Sequence, residues 1–497
     1  MKSKNTLFLL PVSIFLVLTL NFTNTFAAKR YWVGSGSGNW NKTNNWSNSS
    51  GGSAGFSVPA ITDTIYFDGG NTTNCIIDTN INVAGVSISN FYTGTISLNS
   101  GISVIVDTLG FLQSGGIFNG NNGNITIRGR FQLNGGTFNS TTGTLQIGGG
   151  FNYSGATFNH NGGQVSFSGT QTITGNATFY NLLFAANGGW YTISTGTKIT
   201  TLNNVSIIGG YACIINTGIV EIKGNLTTSG TQNNSFNGGT GTLLFNGTGT
   251  QTISSYISSI SIGTNERVGS LPNIEINKTS GSLNLVGVIN LNGTSWNTIA
   301  GASLINPGVS TININSNVTF TGQNLSLYRI HIYANGQTIV LSPASYKLIS
   351  TNNVTIDGGS FYVVNTGILN IKGDLTLNNT STSAVNGGTG TFLFDGSGIQ
   401  NINSSASSLN YVCALPSVTI NKTSGTLFIR GILNFSGASW NTIAGASLID
   451  AGTSVVNLLK HTTLSGQSLT LYDITVTGNF STTTISAGVV WCNTPLY

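Results

Sequence analysis

The chain has 497 residues, of which only 6% are charged and 39% hydrophobic, with a formal net charge of +5. Ordinary globular domains carry about 25% charged residues; here Gly, Asn, Ser and Thr fill the gap. The balance argues against helices, because good helix formers are few, and against disorder, because Ile, Val, Leu and Phe occur throughout. It also argues against nucleic-acid binding, since no basic cluster stands out beyond Lys29-Arg30 and Arg128/Arg130.

Residues 1–28 read as an export signal. "MKSKNT" is basic, "LFLLPVSIFLVLTL" is a short apolar core, and "NFTNTFAA" offers small residues for cleavage near Ala27 or Ala28. The core is too short and Pro-interrupted to span a bilayer comfortably, and no later segment reads as transmembrane. The mature chain is expected to begin near Lys29 and to be extracellular or on the outer cell surface.

The head, residues 29–70, holds three closely spaced Trp: Trp32, Trp40 and Trp46. A repeat array exposes an apolar end and an unpaired strand edge, so a Trp-rich segment before the first repeat is expected to cap it. Asp63 and Asp68 are too thin a set for Ca²⁺ and are expected to make structural hydrogen bonds.

From residue 71 to 201 the period is short. "GGIFNGNNGNITIRGRFQLN", "GGTFNSTTGTLQIGGGFNYS" and "GATFNHNGGQVSFSGTQTIT" follow one another without a gap, starting at Gly115, Gly135 and Gly155. Phe118, Phe138 and Phe158 share one column; Phe111, Phe131 and Phe151 share another. Alternating apolar and polar residues between glycines read as short strands. The predicted fold is all-β, a right-handed parallel β-helix of about 20-residue coils. In such a stack each column meets itself about 4.8 Å away. Charged columns repel themselves while Asn, Ser and Thr columns can hydrogen-bond, which accounts for the missing charge. An immunoglobulin-like array is the rival, and the short period and the lack of a Cys…Trp…Cys spacing argue against it.

A larger duplication follows, with units at 202–350 and 351–497. "LNNVSIIGGYACIINTGIVEIKGNL" from Leu202 matches "TNNVTIDGGSFYVVNTGILNIKGDL" from Thr351 at an offset of 149, and "SWNTIAGASLI" recurs from Ser295 and Ser439 at an offset of 144. The change of offset marks a short deletion between Gln400 and Leu415. Each unit is expected to hold about seven coils, and the mature chain about 22 coils, roughly 100 Å long at 4.8 Å per coil. Trp296 and Trp440, inside the repeated string, are either interior fillers or exposed platforms for a sugar face.

Candidate chemistry is sparse. Cys75, Cys213, Cys413 and Cys492 have no framework spacing, and Cys213 falls where the second unit carries Tyr362, so they read as small buried side chains with no repeat-encoded bridge. No CxxC pair and no phosphate-binding G-x-x-x-x-G-K-[ST] loop occurs, so no metal or cofactor is expected. Catalysis on a polysaccharide needs grouped carboxylates. The best set is Asp357, Asp374 and Asp395, spaced near the coil period, with Ile208, Asn225 and Asn246 at the matching positions of the first unit. His160, His331 and His461 occur singly and read as surface or turn residues.

The head contains Tyr31, Trp32, Val33, Gly34, Gly38, Trp40, Trp46, Ser47, Val58, Pro59, Asp63, Phe67 and Asp68 in an order that resembles the N-terminal "YWVGG-x-G-x-W…W-S…VP…D-x-V-x-FD" segment of secreted bacterial adhesin-like β-helix proteins, often exported by the gliding-motility-associated system. The pattern "G-x-L-x-F-x-G-x-G-x-Q-x-I" at Gly241–Ile253 and Gly390–Ile402 is similar to their coils. The resemblance implies a cell-surface adhesive protein. It also implies a C-terminal sorting domain; none is visible, so the expectation is a fragment of a larger protein or a different anchor. The expected function is structural and adhesive, with extracellular polysaccharide as partner. A polysaccharide lyase or hydrolase and an inert spacer are the alternatives.

Overall fold

The computed structural model describes residues 27–492 except 35–37, 188, 212–213, 231–237, 257–269, 336–337, 361–363, 379–386, 407–413, 478–482 and 486–489. The chain winds as a parallel β-solenoid of about 16 turns, with successive coils about 22 residues apart. The short repeats fall where the Phe columns put them. Strands Phe131–Leu133 and Phe151–Tyr153 pair in parallel with Phe131 opposite Phe151, and Thr137–Asn139 pairs with Thr157–Asn159, Phe138 opposite Phe158. The rings of Phe118 and Phe138 stack at 5.0 Å between centroids.

Along the strands inward apolar side chains alternate with outward, mostly polar ones, with apolar exceptions such as Ile208 and Val286. The interior is continuous from Trp32 to Ile474. Outside, amides link coil to coil: Asn139 donates to Asn119 at 2.7 Å, and Asn159 donates to Asn139 at 2.6 Å. These ladders are the self-complementary columns that the composition requires.

The coil number is lower than the short period suggests, because coils are not of equal length. The coil that carries Phe167 onto Phe184 is short, while the one that carries Leu243 onto Ile274 is much longer. From Val205 to Val354 the rungs run through Leu226, Ile253 and Leu285, then from Ile289 through Ile312 and Ile330. A unit therefore has six coils, not seven. At about 4.8 Å per rung, sixteen turns reach about 77 Å.

The head closes the first coil. Strand Lys29–Trp32 pairs antiparallel with Trp46–Ser47 and parallel with Thr64–Phe67, which leads into the stack through Ile81–Ile88. Trp32, Trp40 and Trp46 are all buried against one another and against Phe67. Asp63 accepts hydrogen bonds from the backbone of Ala28 and Ala60, and Asp68 from Gly70. Cys75 is buried and unpaired, its thiol pushed up first by burial and then by the charge of Asp78. Cys213 and Cys413 lie outside the described residues, as do residues 1–26 of the expected export signal. Among the described residues no helix is long and apolar enough to cross a membrane.

Candidate functional site

The repeated string "SWNTIAGASLI" builds a strand, a left-handed glycine and a short turn in both copies: Ser295–Ala300, Gly301, Ala302–Leu304, and Ser439–Ala444, Gly445, Ala446–Leu448. Trp296 pairs with Ile274 and Phe320, and Trp440 with Val418 and Leu464, all interior positions. Both indoles are buried, at 0% and 1% exposure. Neither presents a ring face to solvent, so the platform expectation for Trp296 and Trp440 gives way to interior filling.

Gly301 and Gly445 explain part of the copying. Each has φ of 86°, and a Cβ there would meet the backbone and Cβ of Lys278 or Lys422 within 3 Å. Those lysines are themselves 1% exposed. Lys278 Nζ donates to Gly247 O at 2.5 Å, Gly249 O at 3.1 Å and Gln251 Oε1 at 3.0 Å; Lys422 repeats this with Gly396, Gly398 and Gln400. Burial lowers the pKa of both ammonium groups. This clamp holds a corner between coils, and nothing in the polar-looking "NKTSG" segments announces it.

The three candidate carboxylates do not form a column. Asp357 pairs with Asn378, whereas Asp374 lies four residues earlier along that strand's line and one rung over, about 14 Å away by strand geometry. Acid pairs that act on glycosidic bonds sit about 5–9.5 Å apart. Asp374 instead accepts from the backbone and side chain of Asn401. Asp395 follows a strand of a different sheet and pairs with Lys372 at 2.9 Å. The period matches because each acid ends up near one coil length from the next, but at three different columns.

What gathers is different. One column on the side away from the core runs unbroken through Asn290, Asn313, His331, Thr355, Thr376, Asn403 and Arg430; Asn290 and Asn313 are covered, and it opens to solvent from His331 on. Beside it Tyr333, Asp357 and Asn378 form a second. His331 Nε2 lies 2.5 Å from Asp357 Oδ2, and Asn378 donates to Asp357 Oδ1 at 2.8 Å. The Tyr333 ring stacks on His331 with centroids 4.1 Å apart. Burial alone would raise the Asp357 pKa, but the bonds from His331 and Asn378 and the nearby imidazole outweigh it and lower it. Burial, then the Asp357 charge, pushes the Tyr333 hydroxyl up to about 12.

The chain matches no known protein family, curated protein or solved structure.

His331 is thus no isolated surface residue; its imidazole is hydrogen-bonded to the Asp357 carboxylate. Sequence spacing does not show this, because the partner lies on the following coil and diagonally across a rung. His160 does keep a turn role, accepting from the Gly162 backbone at 3.0 Å and stacking on Tyr180. Among the described residues no group of three or more His, Cys, Asp or Glu gathers as for a metal ion. A depression elsewhere is lined by Arg130, Gly149, Gly150, Asn152 and Gln171.

Proposed function

We propose that the protein is an exported structural and adhesive rod that holds extracellular polysaccharide on its outward columns. The observation that carries this reading is the in-register outer face, where Asn, Ser and Thr recur from coil to coil. Hydroxyl and amide groups at a rung spacing of about 4.8 Å suit repeated hydrogen bonds to a polymer, each weak and summed over many rungs. The resemblance of the head to secreted adhesin-like proteins supports export and surface location. Fold alone does not assign a function.

Catalysis is a second reading with one specific observation behind it. His331 and Asp357 form an oriented imidazole–carboxylate pair, a general-base arrangement. Among the described residues it has no grouped carboxylates around it of the kind glycoside hydrolysis uses.

Retention of the full chain on a panel of insoluble polysaccharides, with and without Ca²⁺, tests the adhesive reading. Retention on at least one polymer is expected. Passage through every polymer unretained leaves an inert spacer as the better account.

A further inference from the structure

Three stretches of the chain are variants of one strand: YNLLFAAN at 180–187, YRIHIYAN at 328–335 and YDITVTGN at 472–479. Their strands begin at Asn181, Arg329 and Asp473. At the three alternate outward positions the first carries Asn181, Leu183 and Ala185, and the last Asp473, Thr475 and Thr477. The middle one carries Arg329, His331 and Tyr333.

The neighbouring strands differ in a matching way. Asp357 and Asn378 stand where the first unit has Ile208 and Ser229, and Ile208 is half exposed. The first unit's outward column reads Leu183, Ser206, Thr227, Ser254, Val286. The second reads His331, Thr355, Thr376, Asn403, Arg430. Replacements in two different units therefore meet at one patch across their boundary, and there they satisfy one another. Drift in a duplicated stack would scatter such changes over the face; mutually fitted changes at one point mark a site.

The chemistry of the patch is specific. Both oxygens of Asp357 are hydrogen-bonded within the patch, one with His331 and one with Asn378, so the carboxylate is held by its own neighbours. Arg329 is exposed, rests over the Tyr328 ring at 5.2 Å and donates from Nε to Asn352 at 3.3 Å. Among the described residues no carboxylate pairs with its guanidinium. Alternate residues on a strand lie about 6.6 Å apart, so Arg329, His331 and Tyr333 form a row about 13 Å long. Arginine presents a planar fork that fits a carboxylate with two parallel bonds. With Nε2 committed to Asp357, the His331 Nδ1 is the nitrogen left to bond a hydroxyl.

We propose that Arg329, His331 and Tyr333 form a binding site for a uronic acid unit of an acidic polysaccharide. Arg329 pairs with the sugar carboxylate, the Asp357-held His331 bonds a ring hydroxyl, and Tyr333 flanks the sugar. This deepens the adhesive reading and rests on it.

The test uses the full chain and a triple variant, Arg329→Asn, His331→Thr and Tyr333→Thr. Each replacement is a residue that this same strand already carries at 181, 475 or 477, so the fold accommodates it, and thermal melts check that it does. Affinities for oligogalacturonate and for a neutral glucan oligomer are measured in Ca²⁺-free buffer. The wild type is expected to prefer the uronate, the triple variant to lose at least about tenfold for it, and Lys42→Gln, which removes an exposed cation from the head, to lose nothing. Equal uronate affinity in wild type and a folded triple variant overturns the site, as does an equal loss in Lys42→Gln. Binding to the neutral glucan alone also overturns it while leaving the adhesive reading standing; binding to neither overturns the site, and the adhesive reading then falls only if the polymer panel also retains nothing.

Discussion

Asn246 donates a hydrogen bond to Glu221 at 2.6 Å in the first unit, and Asn370 donates to Asp395 at 3.3 Å at the matching rung of the second. Acid and amide have exchanged places between the copies. The lysine is kept: Lys223 pairs with Glu221 at 2.9 Å, and Lys372 pairs with Asp395 at 2.9 Å. A carboxylate, an amide and the kept lysine meet at this corner in either order, with Lys198 also on Glu221 in the first unit, so the duplicated units conserve the contact and not the positions.

Glu221 should make the fold sensitive to acid. Burial would raise its pKa, but bonds from Asn246, Lys223, Lys198 and Thr200 lower it from 4.5 to about 2. A folded-state pKa below the unfolded one gives stability that is full above pH 4.5 and is lost as pH falls towards 2. Glu221→Gln is expected to cost about 1–3 kcal/mol at pH 7, with the difference from wild type shrinking towards zero near pH 2. Denaturant midpoints at pH 7, 4 and 2.5 measure it; a difference that does not change with pH contradicts the assignment.

The buried lysine clamp predicts a non-additive pair. Lys278→Met takes the ammonium donor away from two backbone carbonyls and from Gln251 Oε1, which keeps its bond from the Gly247 N–H, and is expected to destabilise by about 1–3 kcal/mol. Gln251→Leu breaks the same Lys278–Gln251 bond, which the two single variants each count once. The double variant should therefore lose less than the sum of the two singles. Strict additivity in denaturant midpoints would show that Lys278 and Gln251 do not act together.

Trp296 and Trp440 should matter for stability and not for ligand. Truncating a buried Trp to Ala costs about 3–5 kcal/mol, so each variant should melt well below wild type. Polysaccharide retention per folded molecule should stay at the wild-type level. Retention lost from a variant whose near-ultraviolet circular dichroism is native would restore the exposed-platform role.

The architecture is legible in the sequence because the evidence for it is periodic. Phe118, Phe138 and Phe158 announce one column, and stacking alone explains why charge is scarce. The coil count is not legible, since long steps such as that from Leu243 to Ile274 hide the period. Lys278 leaves no local signal because its burial depends on carbonyls contributed by an earlier coil, at Gly247 and Gly249. The pairing of His331 with Asp357 is hidden for the same reason: a diagonal contact between rungs leaves no local spacing. The acidic series Asp357, Asp374 and Asp395 shows the opposite error, a spacing near the coil period with no shared column behind it.

The adhesive account stands or falls most directly on whether the protein binds polysaccharide without cutting it. The full chain is incubated with whichever polymer retains it, and reducing and unsaturated ends are followed over long incubation alongside the polymer's length. The account predicts ends at the level of the protein-free blank and full-length polymer recovered with the bound protein. Ends that accumulate with the wild type and disappear with His331→Ala would contradict it and make the His331–Asp357 pair catalytic.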